Sequence, residues 1–221
     1  MHNKSKYIWE CCVIMYRTEV YRRRGYSGIP KRILDIAVAL AGLFIGALPM
    51  IICAAAIYME GGGPVIFRQR RVGADCRPFV CYKFRTMSCD APPECATAAL
   101  VAPERYITRV GGFLRRTSLD ELPQLFNVLK GDMSLIGPRP VIAAESELIG
   151  LRDMLGVYHI RPGMTGLAQV RGRDQVSIRR KAAYDAQYVE RMSFGYDVML
   201  LVRTLINVVC CRGVREGRAN E

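Results

Sequence analysis

The 221-residue sequence predicts an α+β fold: a mostly helical, membrane-associated domain with a small β-hairpin and an N-terminal re-entrant membrane helix. Three observations predict it. Residues 36–59 carry no charged side chain, and a helix of that length, at about 1.5 Å per residue, is long enough to enter or cross a bilayer. Residues 65–67 and 79–84 are short β-branched and aromatic runs on either side of a Gly73-Ala74-Asp75 turn. Most of the remainder falls into helix-length segments interrupted by glycine and proline.

The elements follow in order. Residues 1–28 form a basic N-terminal extension with Arg22-Arg23-Arg24 and scattered aromatics such as Trp9 and Tyr16, a composition attracted to anionic membrane surfaces. Residues 29–60 are the membrane helix. Lys31 and Arg32 precede its apolar run, and Arg68, Arg70 and Arg71 follow it, so the positive-inside bias keeps both flanks cytosolic. Pro49, near the middle, removes a helical hydrogen bond and favours a bend. Together these predict a helix that dips in and returns. Gly42 and Gly46 make a G-x-x-x-G packing face. Gly61-Gly62-Gly63-Pro64 stops the helix, and residues 61–221 form a cytosolic catalytic domain with membrane-interfacial helices. Residues 88–104, with three prolines, read as a loop. Ser118 and Glu121 have capping-box spacing, which predicts a helix from 118 to 130, stopped at Gly131. Gly137-Pro138-Arg139-Pro140 must be irregular. Helices are expected over 142–155 and 177–192. Residues 196–211 are apolar but too short to span, and fit a core or interfacial helix.

The chain has 32 basic and 20 acidic side chains, a net charge of +12, which suits nucleic acid, anionic lipid or phosphorylated substrates. Nine cysteines without a C-x-x-C pair, and only two histidines, argue against zinc and for free thiols. No G-x-x-x-x-G-K-[ST] is present, which excludes a P-loop nucleotidase, and no D-x-D is present for a metal-dependent glycosyltransferase.

Chemistry concentrates at Arg115-Arg116-Thr117-Ser118-Leu119-Asp120-Glu121. A capped helix start alone accounts for the spacing. The same start also offers free N–H groups and a partial positive charge to a phosphate. One carboxylate of the Asp120-Glu121 pair could attack phosphorus there, with its neighbour holding a metal. Cations recur at segment ends: Lys83, Arg85, Arg115, Arg116, Arg139, Arg161 and Arg173. Several guanidinium groups around a carboxylate pair suit a diphosphate. A rival reading is a non-catalytic basic membrane-anchored module that binds anionic lipid or nucleic acid. The Asp120-Glu121 pair argues against it, since two acids among phosphate-binding cations would repel a polyanion.

The chain resembles the bacterial membrane-bound sugar transferases that begin glycoconjugate synthesis, the monotopic phosphoglycosyl transferases. The resemblance rests on Lys31-Arg32 with Asp35, Gly63 through Gln69 with Arg71-Val72-Gly73, and Tyr82 through Met87. It continues through Arg115 to Asn127, Gly131 through Pro140, and Arg161 through Gly166, and covers about residues 30–208. It implies transfer of a sugar 1-phosphate from a UDP-sugar to a polyprenyl phosphate of the inner membrane, on the cytosolic face, with release of UMP and no role for nucleic acid. That is the first step of exopolysaccharide, capsule, O-antigen or glycoprotein glycan synthesis. It implies Asp120 as nucleophile of a covalent aspartyl-phosphosugar intermediate. Glu121 would help hold Mg²⁺, with Mn²⁺ an alternative, because such ions take few carboxylates plus substrate phosphates. Arg115 and Arg139 would spread the phosphoryl charge. A homodimer is compatible with this reading. Three positions depart from the family pattern: Cys76 for a glycine, and Leu167 and Arg171 for a common Trp and Asn. The last two stand where the family is expected to shape the nucleotide or sugar pocket, which leaves the donor open.

Overall fold

The computed structural model describes residues 26–91, 105–172 and 176–210. Its spine is one helix, α1 (Ile29–Gly61), 33 residues long and apolar enough to cross a membrane. One face of α1 meets the rest of the protein at Lys31, Asp35, Ala39, Gly46, Cys53 and Ile57. The spacing of four or seven is that of a single helical stripe. The opposite face is bare: Phe44 is 86% and Met59 84% exposed, with Ile45, Leu48 and Ile51 between them. The glycine pair packs inside the chain. A Cβ on Gly42 would lie 3.1 Å from Leu125, and one on Gly46 would lie 3.8 Å from Leu122.

The segment after the 88–104 loop, of which 92–104 lie outside the described residues, runs back along α1. Helix α2 (Arg109–Thr117) starts where Glu60, at the end of α1, accepts from the backbone N–H groups of Arg109 (2.7 Å) and Val110. Thr108 adds a side-chain cap to Gly111 N. Leu114 packs with Cys53, Ile57 and Phe84. A single 3-10 turn (Leu119–Glu121) follows, then α3 (Gln124–Lys130), whose far end meets Arg32 near the start of α1.

The capping box at Ser118 does not form, and the expected helix over 118–130 is two elements. Ser118 is the left-handed residue (φ 58°) that ends α2, and its side chain caps nothing. Helix α2 already runs through Arg115 and Arg116, so the chain must reverse at Ser118 before α3 can begin. Pro123, which lacks an N–H, stands where α3 starts and needs no donor there.

Strands β1 (Ile66–Val72) and β2 (Pro78–Phe84) form the antiparallel hairpin, longer in β1 than expected. Its connection takes Asp75 and Cys76 into the left-handed region, at φ 51° and 56°. A second pair, β3 (Ser134–Ile136) with β4 (Gly163–Thr165), is parallel. The helices α4 (Ser146–Met154), α5 (Leu167–Arg171), α6 (Ile178–Arg191) and α7 (Phe194–Val209) complete the fold.

Lys31 and Arg32 are structural partners rather than free flanking charges. Lys31 is buried against Asp197 at 2.5 Å, and Asp197 also accepts from Tyr26 and Tyr188 hydroxyls. Arg32 donates to the Val128 (2.6 Å) and Leu129 (2.9 Å) carbonyls at the end of α3. Asp35 accepts from Ser134 Oγ and Leu135 N. Each buried charge is thus paired or hydrogen-bonded, as burial requires. Both ends of α1 are therefore fastened to the same body.

Candidate active site

Because α2 ends in a left-handed residue, the one-turn 3-10 segment projects Asp120 and Glu121 together, half-buried, between the hairpin and α3. Strand β2 is held there by Asn127 of α3, fully buried. Its side-chain amide donates to Val80 O (2.7 Å) and its oxygen accepts from Tyr82 N (3.0 Å), so it fills a strand position on β2. That sets Lys83. Its Nζ donates to Glu121 Oε1 at 2.8 Å, and Arg139, from the Pro-Arg-Pro loop, donates to the same oxygen at 2.8 Å. Arg115 donates its Nε to Thr86 Oγ1 at 2.8 Å, which anchors the end of α2 beside the pair.

The two neighbouring carboxylates titrate in opposite directions. Burial raises Asp120 to about 6. Lys83, Arg139 and Arg115 pull it down, while the Glu121 charge adds to the rise. Burial also works against the Glu121 charge, but Arg139 and Lys83 outweigh it and hold that carboxyl far below its usual range. A divergent acid pair of this kind, ringed by cations, suits a nucleophile beside a fixed charge.

Lys83, Arg115 and Arg139 thus gather around Asp120 and Glu121. Arg116 is exposed on the last turn of α2. Arg85 turns to the end of α1, where it donates to the Gly62 carbonyl and to Cys89 Sγ. Arg161 sits beyond the opposite end of α3 and donates to Gly131 O at 2.8 Å. Arg173 lies outside the described residues. Leu167 is 1% exposed in the main apolar core, so that departure is a packing position and not a pocket wall. Arg171 lies over the Tyr184 ring.

Sequence reasoning missed Gln69 and Arg71. In the hairpin register Phe67 pairs with Lys83, Gln69 with Cys81 and Arg71 with Phe79, so all share the face that carries Lys83. Arg68 and Arg70 point the other way and are exposed. Extending the strand from Val65-Ile66-Phe67 with its period of two places Gln69 and Arg71 on the Phe67 face. Arg71 is close enough to Arg139 for their repulsion, after burial, to lower its pKa.

Among the described residues no three His, Cys, Asp or Glu side chains come together as a metal site. The donors that fit Mg²⁺ are the hard oxygens of the Asp120-Glu121 pair, and only when substrate phosphates and water complete the shell. Lys83 and Arg139 share Glu121 Oε1, so its second oxygen is the one left to face an ion.

Residues 26–211 match the family model described as bacterial sugar transferase. The chain is 35% identical over 206 residues to the exopolysaccharide production protein ExoY of Rhizobium meliloti, covering 86% of this chain and 90% of that protein. It is 41% identical over 183 residues to the UDP-glucose:undecaprenyl-phosphate glucose-1-phosphate transferase of Caulobacter vibrioides, covering 79% of this chain and 68% of that one. It is 38% identical over 206 residues to the undecaprenyl-phosphate galactose phosphotransferase of Salmonella typhimurium, covering 87% of this chain and 43% of that longer protein.

Proposed function

The chain belongs to the bacterial sugar transferase family and is a phosphoglycosyl transferase, and we propose that it moves a sugar 1-phosphate from a UDP-sugar to a polyprenyl phosphate with release of UMP. The observation that carries this reading is the asymmetry of the carboxylate pair: Lys83 and Arg139 both bond Glu121, and Asp120 remains the more basic acid. Asp120 attacks the β-phosphorus, the bond from that phosphorus to the bridging oxygen breaks, and UMP leaves. A phosphate oxygen of the polyprenyl carrier then attacks the same phosphorus and releases the carboxylate. Splitting the transfer lets the donor and the acceptor use one site in turn. Lys83, Arg139 and Arg115 offset the charge on the phosphoryl oxygens during both displacements. Glu121 would hold Mg²⁺, which supplies further charge neutralisation on the phosphates. Turnover should stop in excess chelator and return with Mg²⁺. Since two of the relatives are named for glucose and galactose transfer, a panel of UDP-sugars is the right substrate set.

The acceptor is a lipid, and α1 supports a monotopic placement on the cytosolic face of the inner membrane. Its start is bound to Asp197 and the end of α3, and its finish to the start of α2. A span would part these ends by about 30 Å of hydrocarbon, with a polar domain lining the gap. A re-entrant helix keeps both ends on one side and offers its bare face to lipid.

The purified protein should release UMP from at least one UDP-sugar, and Asp120→Asn should not. Mass spectrometry of the wild type quenched without acceptor should find sugar phosphate on Asp120. Unimpaired turnover by Asp120→Asn would remove the nucleophile assignment.

A further inference from the structure

We infer that Arg71 and Arg152 are positioning residues of the reaction, holding the backbone of Pro138-Arg139-Pro140 so that the Arg139 guanidinium meets Glu121. The inference rests on the reading of Glu121 and Arg139 as parts of the transfer site.

With a proline at each end, the loop is rich in carbonyls and poor in donors. Its three successive carbonyls are each taken by a different part of the chain. Pro138 O accepts from Gly163 N at 2.9 Å, Arg139 O from Arg152 at 2.8 Å, and Pro140 O from Arg71 at 2.8 Å. The first contact needs glycine, because a Cβ on Gly163 would lie 2.1 Å from Gly137 N. The other two contacts come from guanidinium forks that are themselves aimed. Arg71 gives its Nε (3.0 Å) and one NH2 group (2.6 Å) to Gln69 Oε1, which leaves the other turned to Pro140 O. Arg152 gives its Nε (2.9 Å) and one NH2 group (2.6 Å) to Asp185 Oδ2 and the other to Arg139 O.

Arg152 and Asp185 are 3% and 1% exposed, and a pair buried that deeply contributes little net stability, since desolvation offsets its attraction. What an apolar pair of equal size could not supply is a fixed, charge-assisted donor to the Arg139 carbonyl. The arrangement also ties the two partners of Glu121 to one reference. Arg71 shares a hairpin face with Lys83, so the strand pair that presents Lys83 also fixes the loop that presents Arg139. Arg152 on α4 and Asp185 on α6 extend the clamp into the C-terminal helices.

The test uses the full-length protein with a UDP-sugar it turns over, and two variants. Arg71→Lys keeps the charge and loses the fork. The double variant Arg152→Met/Asp185→Leu removes the buried pair without stranding a charge. Each should fold like the wild type by circular dichroism and lose roughly 10- to 100-fold in kcat, the scale expected when a reacting group is misplaced by about 1 Å. KM for the donor should move by less than about threefold, since ground-state binding is not the target. Added to Arg139→Ala, neither should cost more, because nothing is left to position. Wild-type kcat in a folded variant, or losses that multiply with Arg139→Ala, would overturn the inference. If the double variant does not fold, Arg71→Lys alone decides. Wild-type turnover by Arg139→Ala would instead sink the site reading, and the clamp with it.

Discussion

Removing the Lys83 ammonium should move the pH dependence of the reaction upward. Asp120 stands at about 6 because burial raises it, and Lys83 is the first of the charges that pull it back down. A carboxylate attacks phosphorus only when ionised, so the acid limb of kcat/KM, which reports the free enzyme, should lie near that value. In Lys83→Met the largest restraint is gone. If the ammonium is worth about 1.4 kcal/mol at Asp120, the limb rises by about one pH unit. At neutral pH the ionised fraction then falls from about nine-tenths to about one-half, on top of any loss of transition-state charge. Glu121→Gln has the opposite sign. Its charge raises Asp120, so removing it should lower the limb even as the rate drops. Release of labelled UMP between about pH 5 and 9 measures both profiles. A limb that holds still or descends in Lys83→Met, or climbs in Glu121→Gln, would refute the electrostatic account.

Three further outcomes follow from the geometry. In Gly111→Ala the new Cβ would lie 2.1 Å from the Thr86 carbonyl oxygen, backbone that cannot yield, so stability should fall by about 3 kcal/mol and Tm by about 6–12 °C; an unchanged Tm would contradict the packing of α2 on the hairpin exit. Cys76→Gly should raise stability by about 0.5–1 kcal/mol, because a left-handed φ of 56° strains a residue with a Cβ more than the added chain entropy of glycine costs; a lower Tm would show that the thiol contributes something else. Single cysteines from Ser5→Cys and Asp75→Cys, in a background without the native ones, should both resist an impermeant thiol reagent on intact cells; labelling at position 5 alone would establish a span.

Sequence patterns reveal the elements whose signal is local. Helix α1 is legible because an uncharged run of two dozen residues is rare outside membrane helices, and β2 because 79–84 is a short run rich in aromatic and β-branched residues after a turn. Helix α2 is hidden by Gly111-Gly112, which lower helix propensity; Gly111 is there because the Thr86 backbone passes too close for a side chain. The S-x-x-E pattern at Ser118 misleads for a related reason: a cap signal says nothing about a helix that already occupies the preceding turns. The pairing of β3 with β4 is invisible, since three residues a side, about thirty apart, leave no periodicity. Lys31 and Arg32 look like membrane-flanking charges in the sequence because their partners, Asp197 and two α3 carbonyls, lie far along the chain. At the site, the Asp120-Glu121 pair and its cations can be named from the residues, but not which carboxylate the cations choose.

That choice is what gives the pair its chemistry. Adjacent in sequence and sharing one short turn, Asp120 and Glu121 both meet a desolvation penalty on ionisation. What separates them is that Lys83, from the hairpin, and Arg139, from the Pro-Arg-Pro loop, converge on one oxygen of Glu121. Glu121 is thereby locked as an anion, and its charge becomes one of the influences that raise Asp120. An acid near 6 is more basic than an ordinary aspartate, hence a better nucleophile, yet it is still mostly ionised at neutral pH. Moving the two cations to Asp120 would reverse this: the proposed nucleophile would be stabilised and less reactive, and the fixed charge would be lost. Because Lys83 and Arg139 come from separate segments of the chain, the selectivity lies in the fold that aims them and not in the acidic dipeptide itself.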